Sequence, residues 1–244
     1  MKKTIAAVLL TVIYAAPTAK AQTATASPFH GTKLKPMTVR YEARISAVDS
    51  SQEDRTIAAT LKLEKSEADG RPTWKLDVSG TGHEVDVWDR TTLEAVTRTS
   101  TFGGKTRFLD HRPDALHVIV DGEEQETYKT EPGQSVVSDG MLNYFALGTM
   151  PLEIGYKSSY NSLVSRRKAI LTHRLAVVGD TTIVVPAGRF ETYVVTERIV
   201  DPNKAGGNVT TWYVMKKAPR LVARLESVLD TGANVTAELS VISH

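Results

Sequence analysis

Alternation of apolar and polar residues with a period of two runs through most of this chain, and that period belongs to strands with one dry and one wet face. Met37, Val39, Tyr41, Ala43, Ile45 and Ala47 alternate with Thr38, Arg40, Glu42, Arg44 and Ser46. Ile57, Ala59, Leu61 and Leu63 repeat the pattern, and Trp74, Leu76 and Val78 repeat it again. Asp69-Gly70, Gly103-Gly104 and Asp121-Gly122 have the composition of tight hairpin turns. Toward the C-terminus, residues 181–185 and 190–199 are β-branched and aromatic, joined by Pro186-Ala187-Gly188. Val209 to Met215, Leu221 to Ser227 and Val235 to Val241 continue the meander. Ten or more strands are predicted, well above the usual strand content. The fold class is all-β.

One segment departs from this period. After Ser138-Asp139-Gly140, the residues Met141, Leu142, Tyr144, Phe145 and Leu147 are apolar at helical spacing, and Gly148 and Pro151 end the run. One short helix cannot cover the dry face of so many strands. The sheet must cover itself, as an antiparallel meander curled into a closed or half-open barrel, or as a sandwich. In a barrel the helix is the natural plug or lid, and the interior becomes a candidate site for an apolar or lipid-like ligand. A solid interior filled by side chains is the competing expectation. Trp74 falls on a dry face, whereas Trp88 closes the Val85–Val87 strand at a turn. In Val209–Met215 both faces are apolar, so a second layer must cover Trp212. The candidate ligand-binding residues are therefore Met141, Leu142, Tyr144, Phe145, Leu147 and Trp212.

The N-terminus reads as an address. Met1-Lys2-Lys3 precedes the apolar run Ile5–Ala16, then Pro17 and the small-x-small triplet Ala19-Lys20-Ala21. This is the anatomy of a signal peptide cleaved near Ala21, with Ala26 as a second possible cut. Residues 22–35 are polar and small and are expected to be a flexible lead-in, leaving 36–244 as a single domain. Twelve apolar residues are too few to span a bilayer, so no transmembrane segment is expected after cleavage. Removing residues 1–21 takes away three lysines and no carboxylate, so 30 basic and 28 acidic groups become 27 and 28, a net charge of −1. A near-neutral chain without a basic tract argues against nucleic acid as a partner. With no cysteine anywhere, disulfides, thiolate metal sites and lipidation at a mature N-terminal cysteine are all ruled out. The periplasm is the expected location.

Chemistry-bearing patterns are sparse. Leu229-Asp230-Thr231-Gly232-Ala233 has the composition of an aspartic-protease loop, but only eleven residues follow it. A hairpin turn explains it better. His83 lies near Asp86 and Asp89, and His111 near Asp110 and Asp114, without the i,i+2 or i,i+4 histidine pairing of a zinc site. There is no Gly-x-Ser-x-Gly elbow, and no serine, histidine and acid stand out as a triad. Gly103-Gly104-Lys105-Thr106 lacks the rest of a phosphate loop. No catalytic residue, metal ligand or cofactor is expected.

Val184-Val185-Pro186-Ala187-Gly188-Arg189-Phe190-Glu191-Thr192-Tyr193, then Thr211-Trp212-Tyr213-Val214, then Ala218-Pro219-Arg220-Leu221-Val222, resemble exported bacterial proteins of the domain of unknown function 3108 group. Asp89–Leu93 and Pro151-Leu152-x-x-Gly155 look like further pieces of that pattern. The likeness is best over residues 175–228. It implies an exported barrel or half-barrel and carries over no reaction and no site residue. A looser likeness, of architecture alone, is to the half-barrels that carry lipoproteins through the periplasm. The leading expectation is a non-enzymatic periplasmic protein that holds an apolar or lipid-like ligand. The alternative is a cell-envelope protein that docks a protein partner. An enzyme using Asp230 or a His-Asp cluster comes third.

Overall fold

A computed structural model describes residues 26–46, 53–80, 82–138, 141–164, 167–202, 209–229 and 231–243. The expected signal segment, Asp139-Gly140 and Asp230 lie outside the described residues. The strands are Met37–Ser46 (β1), Arg55–Ala68 (β2), Arg71–Ser79 (β3), His83–Asp89 (β4), Ala95–Phe102 (β5), Lys105–His111 (β6) and Ala115–Val120 (β7). They continue with Glu123–Lys129 (β8), Lys157–Val164 (β9), Ala169–Val185 (β10), Gly188–Val200 (β11), Val209–Met215 (β12), Val222–Val228 (β13) and Asn234–Ser243 (β14). All fourteen form one antiparallel sheet in the order β8 down to β1, then β14 down to β9. The first and last strands pair with each other, which leaves β8 and β9, neighbours in sequence, as the two sheet edges.

The turn chemistry follows the residues. Asp69-Gly70 and Asp121-Gly122 have positive φ at both positions, the two-residue geometry that matches strand twist and favours Asp-Gly. The alternating residues face as expected, with Met37, Val39, Tyr41, Leu61, Leu63, Trp74 and Leu76 buried in one continuous core. Trp88 belongs to that core too. β4 continues through it to Asp89, and Trp88 lies opposite Trp74 with both rings buried. Its predicted place at a turn is corrected: the cross-strand partner keeps the strand going and the indole inside.

The edges overlap rather than join. Val137 bridges Glu94 on one side and Ser162 on the other. The Ala95 N–H donates to the Val136 carbonyl at 3.1 Å, and the Val137 N–H to the Asn161 carbonyl at 2.9 Å. The Asn161 side-chain amide donates to the Ser135 carbonyl at 3.1 Å. The Ser138 hydroxyl meets the buried Asp86 carboxylate at 3.1 Å, and Asp86 lies 3.6 Å from Arg98. This short segment therefore seals the wall between the β4–β5 turn and β9. Beyond it, β6 and β7 lap over the outside of β9 and β10. Leu109, Leu116, Val118, Val136 and Leu163 form a second core there, joined by Ile170, and Leu163 and Ile170 are direct cross-strand partners. β9 is consequently covered on both faces, and the barrel is half-open, a sheet rolled past its own edge.

The apolar segment lies inside the roll. It is shorter than the expected Met141–Leu147 helix: α1 is Asn143–Ala146, followed by a 3-10 turn over Leu147–Thr149. Gly148 explains how closely it docks. A Cβ there would stand 1.5 Å from the Arg220 carbonyl oxygen, so only glycine allows this backbone approach. The stretch expected to be a flexible lead-in is also packed from Phe29 onward. Phe29 lies in the core against Tyr160, with ring centroids 5.2 Å apart. The Trp74 indole N–H donates to the Gly31 carbonyl at 3.0 Å, and the His30 N–H donates to the Thr149 hydroxyl at 3.0 Å. One aromatic anchor and these polar contacts order a segment whose composition reads as a linker.

Candidate functional site

The interior is hollow at one end. Inward positions of the adjacent strands β2, β1 and β14 near this mouth carry Ala59, Ala43 and Ala237, which are too small to reach the opposite wall. They leave a cavity of about 360 Å³, floored by Leu61, Val78, Tyr41 and Tyr144 and bordered by His83 and Phe102. Phe102 stands largely exposed beside it, on the hairpin that turns at Gly103-Gly104. The size lies within the range of small-molecule sites and the lining is mainly apolar.

Met141 and Tyr144 line this cavity. Leu142, Phe145 and Leu147 are fully buried in the main core instead, so they support the wall from behind. Trp212 touches the site through Tyr144, their rings meeting edge to face at 5.7 Å. Tyr144 also packs on Tyr41, with centroids 4.3 Å apart, and the Tyr41 hydroxyl donates to the Val222 carbonyl at 2.6 Å. Burial pushes the ionisation of both phenols up, so Tyr144 presents a neutral ring to the cavity. The aromatic pair fixes the position of α1 relative to β1 and β12.

Behind this wall lies a buried polar network that sequence reasoning missed. Glu197 on β11 accepts the Trp212 indole N–H at 2.8 Å and the Tyr160 hydroxyl. The His173 Nδ1 contacts Glu197 Oε1 at 2.7 Å, and the His173 Nε2 faces the Ser162 hydroxyl at 2.8 Å. Tyr160 stacks on the His173 ring at 4.6 Å, and the Asn143 amide of α1 donates to the Tyr160 hydroxyl at 2.7 Å. Burial alone would raise the Glu197 pKa. The hydrogen bond and charge of His173, with Tyr160 and Trp212, outweigh it and hold the carboxyl below its ordinary value. A carboxylate this deep is tolerable only with that many partners.

Ser162, His173 and Glu197 are ordered like the serine, histidine and carboxylate of nucleophilic catalysis. Their surroundings differ from such a site: all three are buried, and none lines the mouth cavity. Ser162 therefore reads as the outer partner of a histidine–carboxylate pair that braces β9, β10 and β11. The available signal was a histidine and a glutamate at dry-face positions, His173 beside Leu171 and Leu175, and Glu197 beside Val195. Alternation identified the faces but not which strands were neighbours, and so could not bring these groups together.

The two histidine clusters do not converge. His83 meets Asp77 at 3.2 Å and Asp89 caps the Thr91 and Thr92 N–H groups, while Asp86 points inward. His111 faces a separate cavity with Arg112 and Asp89, and burial lowers its pKa to about 4. Among the described residues, no three His, Asp or Glu side chains could hold a metal ion. Around Asp230, the Leu229 N–H donates to the Ala233 carbonyl and the Gly232 N–H to the Leu229 carbonyl, both at 2.8 Å, which is the backbone of a turn. No helix among the described residues is long and apolar enough to cross a membrane.

No curated protein matches the chain in sequence. In structure it is similar to a crystallised beta-barrel-like protein of the domain of unknown function DUF1849 from Brucella abortus. The superposition covers 86% of this chain and 98% of that one, with a TM-score of 0.53 and 9% identity. At that identity the likeness establishes the half-open barrel architecture and nothing about activity. Neither this neighbour nor the matching sequence family indicates a catalytic class. Residues 55–240 match the family described as protein of unknown function (DUF3108), and the chain belongs to that family.

Proposed function

We propose that this protein is a non-enzymatic periplasmic binding protein that takes an apolar or lipid-like ligand into the mouth cavity between Ala59, Ala237, Met141 and Tyr144. The observation that carries the reading is the contrast in filling: Tyr160, His173, Glu197 and Trp212 close the interior beneath β9 to β12, while three alanines leave this mouth hollow and apolar. The basic n-region, twelve-residue apolar run and Ala19-Lys20-Ala21 triplet support export. The alternative, a protein partner added at a free sheet edge, gains less support. The β8 edge carries Glu123, Glu124, Glu126 and Lys129, and charged edges discourage strand addition.

Native mass spectrometry on detergent-free protein from the periplasm, followed by solvent extraction, tests the proposal. A discrete added mass that extracts into organic solvent is expected. A bare chain, with one stoichiometric protein recovered by cross-linking in cells, would replace the ligand with a partner.

A further inference from the structure

The opposite mouth is hollow as well, and it differs in charge. Its cavity, about 830 Å³, is floored by Leu34, Pro36, Met37, Pro219 and Leu221 and edged by Lys33, Lys35, Lys65 and Arg220, and no carboxylate lines it. Several cations elsewhere on the barrel are matched with acids, among them Lys62 with Glu64, Arg98 with Glu84, and Arg224 with Glu238. Among the described residues, none of the four cations at this mouth forms an ion pair. Lys33 donates only to the Thr149 carbonyl, at 2.7 Å. Arg220 reaches the Met150 carbonyl through Nη1 at 3.3 Å, while its buried Nε has no hydrogen-bond partner. Lys65 continues the inward-facing series Leu61, Leu63 on β2 and projects where the core ends. Four cations unmatched by acid over an apolar floor are complementary to a negative head on an apolar tail.

We infer that this second mouth binds an anionic amphiphile, its tail on the floor of Leu34, Met37 and Leu221 and its carboxylate or phosphate head between Lys35, Lys65 and Arg220. The inference does not rest on the apolar cavity at the other end, and the two can fail separately. The test is calorimetric titration of the full chain, below the micellar range, with dodecanoate, dodecyl phosphate, dodecanol and dodecyltrimethylammonium. Two variants accompany it: Lys35→Glu/Lys65→Glu, at exposed positions without ion pairs, and Ala59→Trp, which fills the opposite cavity. At least one of the two anions should bind saturably and at least tenfold more tightly than dodecanol or the cationic amphiphile. The charge reversal should weaken that binding at least tenfold with the β circular-dichroism spectrum intact, and Ala59→Trp should leave it unchanged. The tighter anion then identifies the head group. Dodecanol binding as tightly as the anions, an unaffected Lys35→Glu/Lys65→Glu variant, or inorganic phosphate binding as tightly as dodecyl phosphate would each overturn the inference. So would anion binding abolished by Ala59→Trp, which would move the ligand to the other mouth.

Discussion

Under β1, β2 and β14 the inward positions near one mouth carry Ala43, Ala59 and Ala237, and the interior there is hollow. Under β9 to β12 the inward positions carry Tyr160, His173, Glu197 and Trp212, and they are locked together by hydrogen bonds and ring contacts. One side of the same rolled sheet is soft and apolar, and the other is solid and ionic. Burial of charge accounts for the difference. A carboxylate in the interior must have every neighbour in place, because an unsatisfied group there costs far more than an unfilled apolar space. An apolar wall with missing volume loses only dispersion contacts and can accept a ligand in their stead. α1 forms the partition, with Asn143 bonded to the network and Tyr144 facing the cavity.

That contrast should be broken most severely from the ionic side. Glu197→Ala leaves His173 and the Trp212 N–H buried without their acceptor, and a loss of about 3–5 kcal/mol is expected in urea denaturation. Tyr160→Phe, which removes one donor and keeps the stack on His173, should cost about 1–2 kcal/mol. A Glu197→Ala cost near that of a surface mutation would show that the network is not the brace described.

Gly148→Ala tests the partition itself. The added methyl would collide with the Arg220 backbone carbonyl, a contact no rotamer change can relieve, and about 2–3 kcal/mol should be lost. If α1 is displaced toward the hollow side instead, apolar ligand binding should fall along with stability.

Acid should then distinguish the two regions. Because the folded Glu197 pKa is depressed, its contribution is complete above the ordinary carboxylate pKa of 4.5 and is lost as pH falls through the lower folded value. Glu197→Gln should flatten that acid limb of the stability curve. His111 acts at higher pH. With its pKa lowered from 6.5 to about 4 by burial, the unfolded chain takes up the proton first, so stability falls as pH drops from about 6.5 to 4. His111→Gln should remove that slope, an effect on the order of 1 kcal/mol. On the hollow side, Ala237→Leu should leave stability within about 1 kcal/mol or raise it slightly, since the new atoms enter existing space. Thermal unfolding across the pH range measures all three variants.

The legibility of the two sides in the sequence was just as unequal. Alternation in Met37–Ile45 and Trp74–Val78 identified which residues face inward, and Asp69-Gly70 and Asp121-Gly122 marked the hairpins, because these signals are local. The five apolar residues of 141–147 were legible as a segment bound for the interior. Only Met141 and Tyr144 proved to line the cavity; helix phase alone cannot assign faces when every side is buried. The alanine gap and the His173–Glu197 pair were both hidden for one reason. Each arises from strands brought together by the pairing of β1 with β14, or by the register of β9, β10 and β11, and strand order is not written in a period of two. Trp88 shows the same limit on a smaller scale, since its partner Trp74 lies one hairpin away.

The hollow mouth as a ligand site is the central claim, and titration with the neutral fluorescent probe N-phenyl-1-naphthylamine addresses it most directly. Wild-type protein should enhance the emission with saturable one-site binding, and Ala59→Trp, folded by circular dichroism, should abolish it. No enhancement in the wild type, or equal binding by the filled variant, would contradict the claim and leave this end of the barrel as unfilled space without a role.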